Sequence, residues 1–145
     1  MRSRPIEEAD VERILAIQAA CPEIAQWTRW DYARVARGQM AGWVAEEENS
    51  VVGFIVARQI AKEIEILNFA VSPEMRARGI GSTLLQETLA WAKPFEATHA
   101  ILEVRASNAA ALRFYQRHNF EVVGQRRGYY ISPTEDALLL TAKIG

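Results

Sequence analysis

At 145 residues, half of them hydrophobic and 24% charged, the chain has the size and balance of one globular domain, large enough to bury about 70% of its unfolded-chain surface. A formal net charge of −1 excludes the electrostatic footprint of a nucleic-acid or anionic-membrane binder. Cys21 is the only cysteine, which excludes an intrachain disulfide, and neither a signal-peptide core nor an apolar run of ~20 residues is present, so a cytoplasmic protein is expected.

No repeat, low-complexity stretch or linker divides residues 1–145, and one domain is the expected organisation. Residues 10–20 carry Val11, Ile14, Leu15 and Ile17 at helical spacing, with Asp10 as the expected cap and Pro22 as the stop. A weaker helix is predicted over residues 28–37, capped by Thr28 and closed by Gly38. Strands are predicted at residues 43–45, 51–57 and 63–71, with turns at 47–50 and 59–62, forming an antiparallel meander that ends at Ser72-Pro73.

Residues 79–91 then show a helical face of Ile80, Leu84, Leu85, Leu89 and Trp91, ended by Pro94. A strand at 100–104 and a helix at 108–118 follow, with Ala111, Leu112, Phe114 and Tyr115 along the helix. Asn119 stands where a left-handed terminating residue belongs. Strands at 120–123 and 137–141, joined through the loop 131–136, close a mixed α+β domain.

The junction after Val71 carries the strongest chemical signal. A strand gives way to Arg76-Ala77-Arg78-Gly79-Ile80-Gly81, and a helix begins. The first turn of a helix has unpartnered N–H groups and the positive end of the dipole, so it suits a phosphate. Gly79 and Gly81 are expected to let a diphosphate approach the backbone, with Arg76 and Arg78 adding charge. The strand–loop–helix context favours this over a solvated basic turn.

Two other residues read more plainly from the sequence alone. Glu103 near a strand end is, by itself, a solvent-facing carboxylate paired with Arg105. Tyr115 is, by itself, a half-buried tyrosine packing beside Phe114. His99 and His118 lack carboxylate or cysteine companions at metal-ligand spacing, and no metal is expected. No G-x-S-x-G element is present and Cys21 has no histidine pattern around it, so a covalent nucleophile is not indicated.

The spacing Arg76-x-x-Gly79-x-Gly81, following Asn68-Phe69-Ala70-Val71-Ser72-Pro73, resembles the cofactor motif of the GNAT acetyltransferases. The run from Leu102-Glu103-Val104-Arg105 through Ser107-Asn108 to Phe114-Tyr115 closely resembles its RimI-type branch, which acetylates the N-terminal alanine of a small-subunit ribosomal protein. Arg126-Arg127-Gly128-Tyr129-Tyr130, with Glu135-Asp136-Ala137 beyond, is similar to the same branch. The likeness spans nearly the whole chain and is strongest from Glu65 to Leu140. Asn119 departs from it, replacing the glycine usual before the phenylalanine.

The resemblance implies a mostly antiparallel twisted sheet flanked by about four helices, with acetyl-CoA as cosubstrate. Backbone groups of Phe69, Ala70 and Val71 would meet the pantetheine arm and the thioester. Amides of Arg76, Ala77, Arg78, Gly79, Ile80, Gly81 and Ser82 would cradle the pyrophosphate, and Asn108 would hydrogen-bond the cofactor. Glu103 would be the general base through water, and Tyr115 would contact the cofactor and protonate the departing thiolate. Trp27, Tyr129 and Tyr130 would bind the acceptor. The implied partner is a protein N-terminus, with neither nucleic acid nor membrane, and the protein a monomer or weak dimer. Two alternatives stay open: the same fold acting on a small amine or a lysine, and a silent acyl-CoA sensor.

Overall fold

The computed structural model describes residues 1–131 and 133–145. It opens on a strand absent from the sequence reading: β1 (Arg2–Pro5) runs antiparallel to β2 (Ala41–Glu47). Four residues without an aliphatic side chain give no period to detect, and a proline is tolerated because β1 is an edge. Arg4 fastens this edge through ion pairs to Asp10, at 2.8 Å, and to Glu46. Asp10 stands at the expected cap position of α1 but makes no capping hydrogen bond to that helix. Its carboxylate accepts from Arg4 and from the Glu7 N–H at 2.8 Å, in a 3-10 turn that precedes α1 (Val11–Ala19). Burial pushes the Asp10 carboxyl upward, but the bonds from Arg4 and Glu7 prevail and hold it below the usual carboxylate range.

The Thr28 cap lies as predicted at the start of α2 (Arg29–Ala36). Thr28 Oγ1 accepts the Asp31 N–H at 3.3 Å, and Asp31 accepts the Thr28 N–H at 2.8 Å, a reciprocal capping box. The meander also follows the prediction: β2 and β3 (Ser50–Ile60) run longer than expected and β4 (Glu63–Val71) has the expected bounds. Then come α3 (Ile80–Ala92), β5 (His99–Arg105), α4 (Ala109–Arg117), β6 (Glu121–Ile131) and β7 (Thr134–Lys143). The closing pair is a long hairpin, and Thr134 to Asp136 of the expected loop belong to β7; Ser132, also placed in that loop, lies outside the described residues.

The seven strands form one sheet in the order β1-β2-β3-β4-β5-β7-β6, antiparallel except between β4 and β5. β3 lies inside the sheet between β2 and β4, and its run Val51 to Ala57 is buried on both faces, which explains why it is apolar without alternation. Phe54 and Val56 pack with Ile14, Ile17 and Tyr32 under α1 and α2. Ile55 packs on the other face with Leu84 and Leu85 of α3. Among the described residues no helix is long and apolar enough to cross a membrane.

One irregularity makes the site. β4 pairs with β5 only from Glu63 to Glu65, against His99 to Ile101. Beyond that the strands part, because the β3–β4 register shifts between Val56 and Ala57 and bends β4, while β5 stays paired with β7 to its end. A wedge opens between the far halves of two neighbouring strands.

Candidate active site

A cavity of about 610 Å³ fills this wedge, within the usual size range of small-molecule sites. Every site residue expected from the sequence lines it except Arg78, which is exposed outside it.

Toward α3 and α4 the wall is largely backbone. Ser72 donates its N–H to Val52 of β3 at 2.8 Å, so by the alternation of an antiparallel ladder Ala70 also turns its amide to β3. Phe69 and Val71 turn theirs to the open side, where the Phe69 N–H reaches Asn68 Oδ1 at 3.1 Å and the Val71 carbonyl accepts from Arg76 Nε at 3.1 Å. Ala70 keeps a place in the wall without a free amide.

The loop into α3 works differently from its expected form. Gly79 caps the helix at φ +81°, a conformation that favours glycine, and a Cβ there would meet nothing within 4 Å. Gly81 has the opposite reason: a Cβ would lie 3.2 Å from Phe114 Cε1 and 3.6 Å from Phe69 Cζ. It is a packing glycine between α3 and α4. The arginines also depart from expectation, since Arg76 turns back to donate to Cys21 Sγ and to Glu23, each at 3.2 Å, and Arg78 lies outside. What the loop offers an anion is the N–H groups of Ile80, Gly81 and Ser82, which have no intrahelical acceptor. This backbone cradle fits a pyrophosphate without an arginine clamp, and the open edge of β4 fits an extended amide-bearing arm.

Around the cradle stand His118, which the sequence left without a role, and Asn108 and Tyr115, which the resemblance named. His118 Nδ1 lies 2.9 Å from the Phe114 carbonyl, which only accepts, so Nδ1 carries a proton. Its Nε2 lies 2.9 Å from Ser82 Oγ. Asn108 caps α4 with Oδ1 on the Ala111 N–H at 3.2 Å, leaving its NH2 group for a ligand. Tyr115 is buried against Phe69, Phe114 and Phe120, deeper than its sequence context suggested. Burial raises the pKa of its hydroxyl well above the ordinary tyrosine value, so the proton stays on.

The opposite wall carries the carboxylate. Glu103 pairs with Arg126 at 3.2 Å and keeps 20% of its side chain exposed. It does not pair with Arg105, which bonds Glu135 at 3.1 Å and lies 4.2 Å over the Tyr130 ring. Burial, then the negative charge of Glu103, pushes the Tyr130 hydroxyl upward. Tyr129 stacks edge-on to Tyr130 at 5.3 Å between centroids, and Trp27 rests on Tyr32 at 5.4 Å. Glu23, Ile24 and Ala25 complete this side. No sequence motif marks them, although the Thr28 capping signal locates the end of their loop. Among the described residues no group of three His, Cys, Asp or Glu side chains can hold a metal ion.

Comparison with known proteins gives this geometry a context. Residues 9–120 match the model of the Acetyltransferase (GNAT) family. The chain is 34% identical to an N-alpha-acetyltransferase of Saccharolobus solfataricus, over 70% of this chain and 68% of that protein. It is 33% identical to the ribosomal protein bS18-alanine N-acetyltransferase of Salmonella typhimurium, over 67% of each. The crystal structure of Ard1 from Thermoplasma volcanium superposes with a TM-score of 0.88 at 28% identity, covering 99% of this chain and 97% of that one.

Proposed function

The chain belongs to the GNAT acetyltransferase family, whose members use acetyl-CoA, and on that premise we propose that it acetylates the α-amine of a protein N-terminus, a ribosomal-protein alanine in particular. The observation that carries this reading is the placement of Glu103 and Tyr115 in one cavity beside the open edge of β4. The relatives named for N-alpha and ribosomal-protein-alanine acetylation support the choice of acceptor.

Acetyl-CoA, when bound, supplies a thioester carbonyl and a thiolate leaving group. The amides of Ile80, Gly81 and Ser82 hold its pyrophosphate, and Asn108 and the open backbone of Phe69 and Val71 hold the arm. The Phe69 N–H faces the wedge and, sharing its proton between Asn68 Oδ1 and the carbonyl oxygen, stabilises negative charge there, where losing one such donor costs about 10²–10³ in rate. Glu103 takes the amine proton through a water, and Tyr115 delivers its own to sulfur. An α-amine with a pKa of about 7.7–8.0 costs only about 1 kcal/mol to neutralise at pH 7, against roughly 4–5 kcal/mol for a lysine. A carboxylate working through water suits the easier of these tasks. Trp27, Tyr129 and Tyr130 line the path of the acceptor.

The test is acetyl transfer to an alanine-starting peptide, its N-acetylated copy, an N-terminally blocked peptide with an internal lysine, and small amines. Product from the first alone is expected. Equal transfer to the blocked, lysine-containing peptide defeats the acceptor assignment.

A further inference from the structure

The wall facing the acceptor is a loop, residues 21–28, outside any long helix or strand. It presents Ile24, Ala25 and Trp27 to the cavity, and three buried side chains with polar groups, Gln18 and Tyr32 outside the cavity and Asn68 on its wall, determine where it lies. Gln18 of α1 brackets the backbone of Trp27, with Nε2 donating to the Trp27 carbonyl at 2.9 Å and Oε1 accepting the Trp27 N–H at 3.0 Å. The Tyr32 hydroxyl of α2, fully buried, donates to the same Gln18 Oε1. It accepts in turn from Asn68 Nδ2 at 3.0 Å. That amide nitrogen also donates to the Ala25 carbonyl at 3.0 Å, while Asn68 Oδ1 accepts the Phe69 N–H at 3.1 Å.

We propose that Gln18, Tyr32 and Asn68 are positioning residues, a buried clamp that registers the acceptor wall against the reacting edge of β4. The clamp ties two backbone points of the loop, Ala25 and Trp27, to the residue immediately before the amide that faces the wedge. Asn68 is the pivot, because one side-chain amide serves both the wall and that reacting N–H. A network with every member bonded admits one arrangement, whereas apolar contacts alone would let the loop slide. The cavity wall on the α3 and α4 side shares none of these bonds. Removing a member therefore displaces the acceptor site and leaves the cofactor cradle in place.

The inference rests on the transferase reading for the identity of the two substrates, and the experiment separates the two. Tyr32→Phe removes one hydroxyl and keeps the ring packed on Phe54; Asn68→Ser is the second variant, and Tyr32→Phe with Gln18→Met closes the network with an apolar pair. Kinetic constants are taken with whichever amine the wild-type enzyme acetylates, so a wrong acceptor class leaves the test intact. The expected result is a rise of about tenfold in acceptor KM for each single variant. The dissociation constant for CoA by calorimetry stays at its wild-type value in Tyr32→Phe, and hydrogen exchange at the Trp27 amide speeds up in both. The paired variant recovers stability without recovering acceptor KM. A purely structural role lowers the unfolding midpoint and leaves the acceptor KM of the folded protein unchanged. That outcome, or an equal rise for both substrates, overturns the clamp.

Discussion

The two sides of the wedge are built by different means. On the α3 and α4 side most of the contacts are short in sequence: Thr83 to Gly79, Ala111 to Asn108 and His118 to Phe114 lie three or four residues apart, and Ser82 to His118, at 36, is the exception. On the α1 and α2 side they join distant segments, with Asn68 to Ala25 spanning 43 residues and Arg76 to Cys21 spanning 55. A helix N-terminus is a binding site wherever it is made, so its chemistry travels with a few neighbouring letters. A loop wall is defined only once remote side chains meet. The side proposed for the cofactor is therefore encoded largely in short stretches of sequence, and the side proposed for the acceptor depends on remote segments meeting.

The largest effect is expected where the two sides meet. Glu103→Gln keeps the shape of the side chain but removes the proton acceptor, and should lower kcat by about 10²–10⁴. CoA affinity should stay unchanged, since Glu103 bonds Arg126 and none of the cradle. Rates followed by thiol release from pH 6 to 9 check this, and a wild-type rate throughout would remove Glu103 from the mechanism.

Tyr115→Phe comes next, with a loss of about 10²-fold in kcat. The pH profile sharpens the assignment. Burial raises the hydroxyl pKa above its ordinary value near 10, so the acid form persists across the working range and wild-type kcat should show no falling limb between pH 7 and about 10. A limb near pH 8 that vanishes in Tyr115→Phe would mean that the hydroxyl titrates where its surroundings forbid.

How much of this was legible follows from the same contrast. The Thr28 cap, the Asn119 terminator, the meander and the helix after Gly79 are local signals and fall where the sequence puts them. β1 gave no signal because it is short and its reason for existing, Arg4 between Asp10 and Glu46, is a tertiary contact. The arginines of the loop misled for a related reason. Charge beside a phosphate-binding turn suggests a clamp, but only the folded chain reveals that Glu23 and the Val71 carbonyl take Arg76. Glu103 and Tyr115 were indistinguishable from surface and packing residues until a family pattern named them, since neither spacing nor period encodes a wedge between parted strands.

Gly81 tests whether the cradle is independent of its packing. Gly81→Leu places a side chain where even a Cβ meets Phe114 at 3.2 Å, so α3 and α4 must separate. CoA binding should weaken by about tenfold or more, and stability should fall by about 1–3 kcal/mol. Calorimetry with CoA and thermal unfolding read the two effects separately. Retained affinity at reduced stability would confine Gly81 to the core.

The smallest effect is expected at Asn119, and it isolates a purely local feature. Asn119 takes φ +70°, its N–H reaches the Gln116 carbonyl at 3.2 Å, and the Phe120 N–H reaches the Tyr115 carbonyl at 3.0 Å. These are the two bonds of a Schellman termination, with Phe120 packed on Tyr115 at 5.4 Å. Asn119→Gly relieves the left-handed strain but enlarges the freedom of the unfolded chain, so the net change should stay within about 0.5 kcal/mol. Asn119→Ala keeps the strain and loses asparagine's tolerance of it, at a cost of about 1 kcal/mol, or a drop of roughly 3 °C in unfolding midpoint. Neither should alter kcat at 25 °C, because the native turn still fixes Tyr115 in the folded population. An alanine variant with wild-type stability but reduced kcat would mean that the turn itself shifts, and that the cofactor side also depends on contacts finer than its local signals.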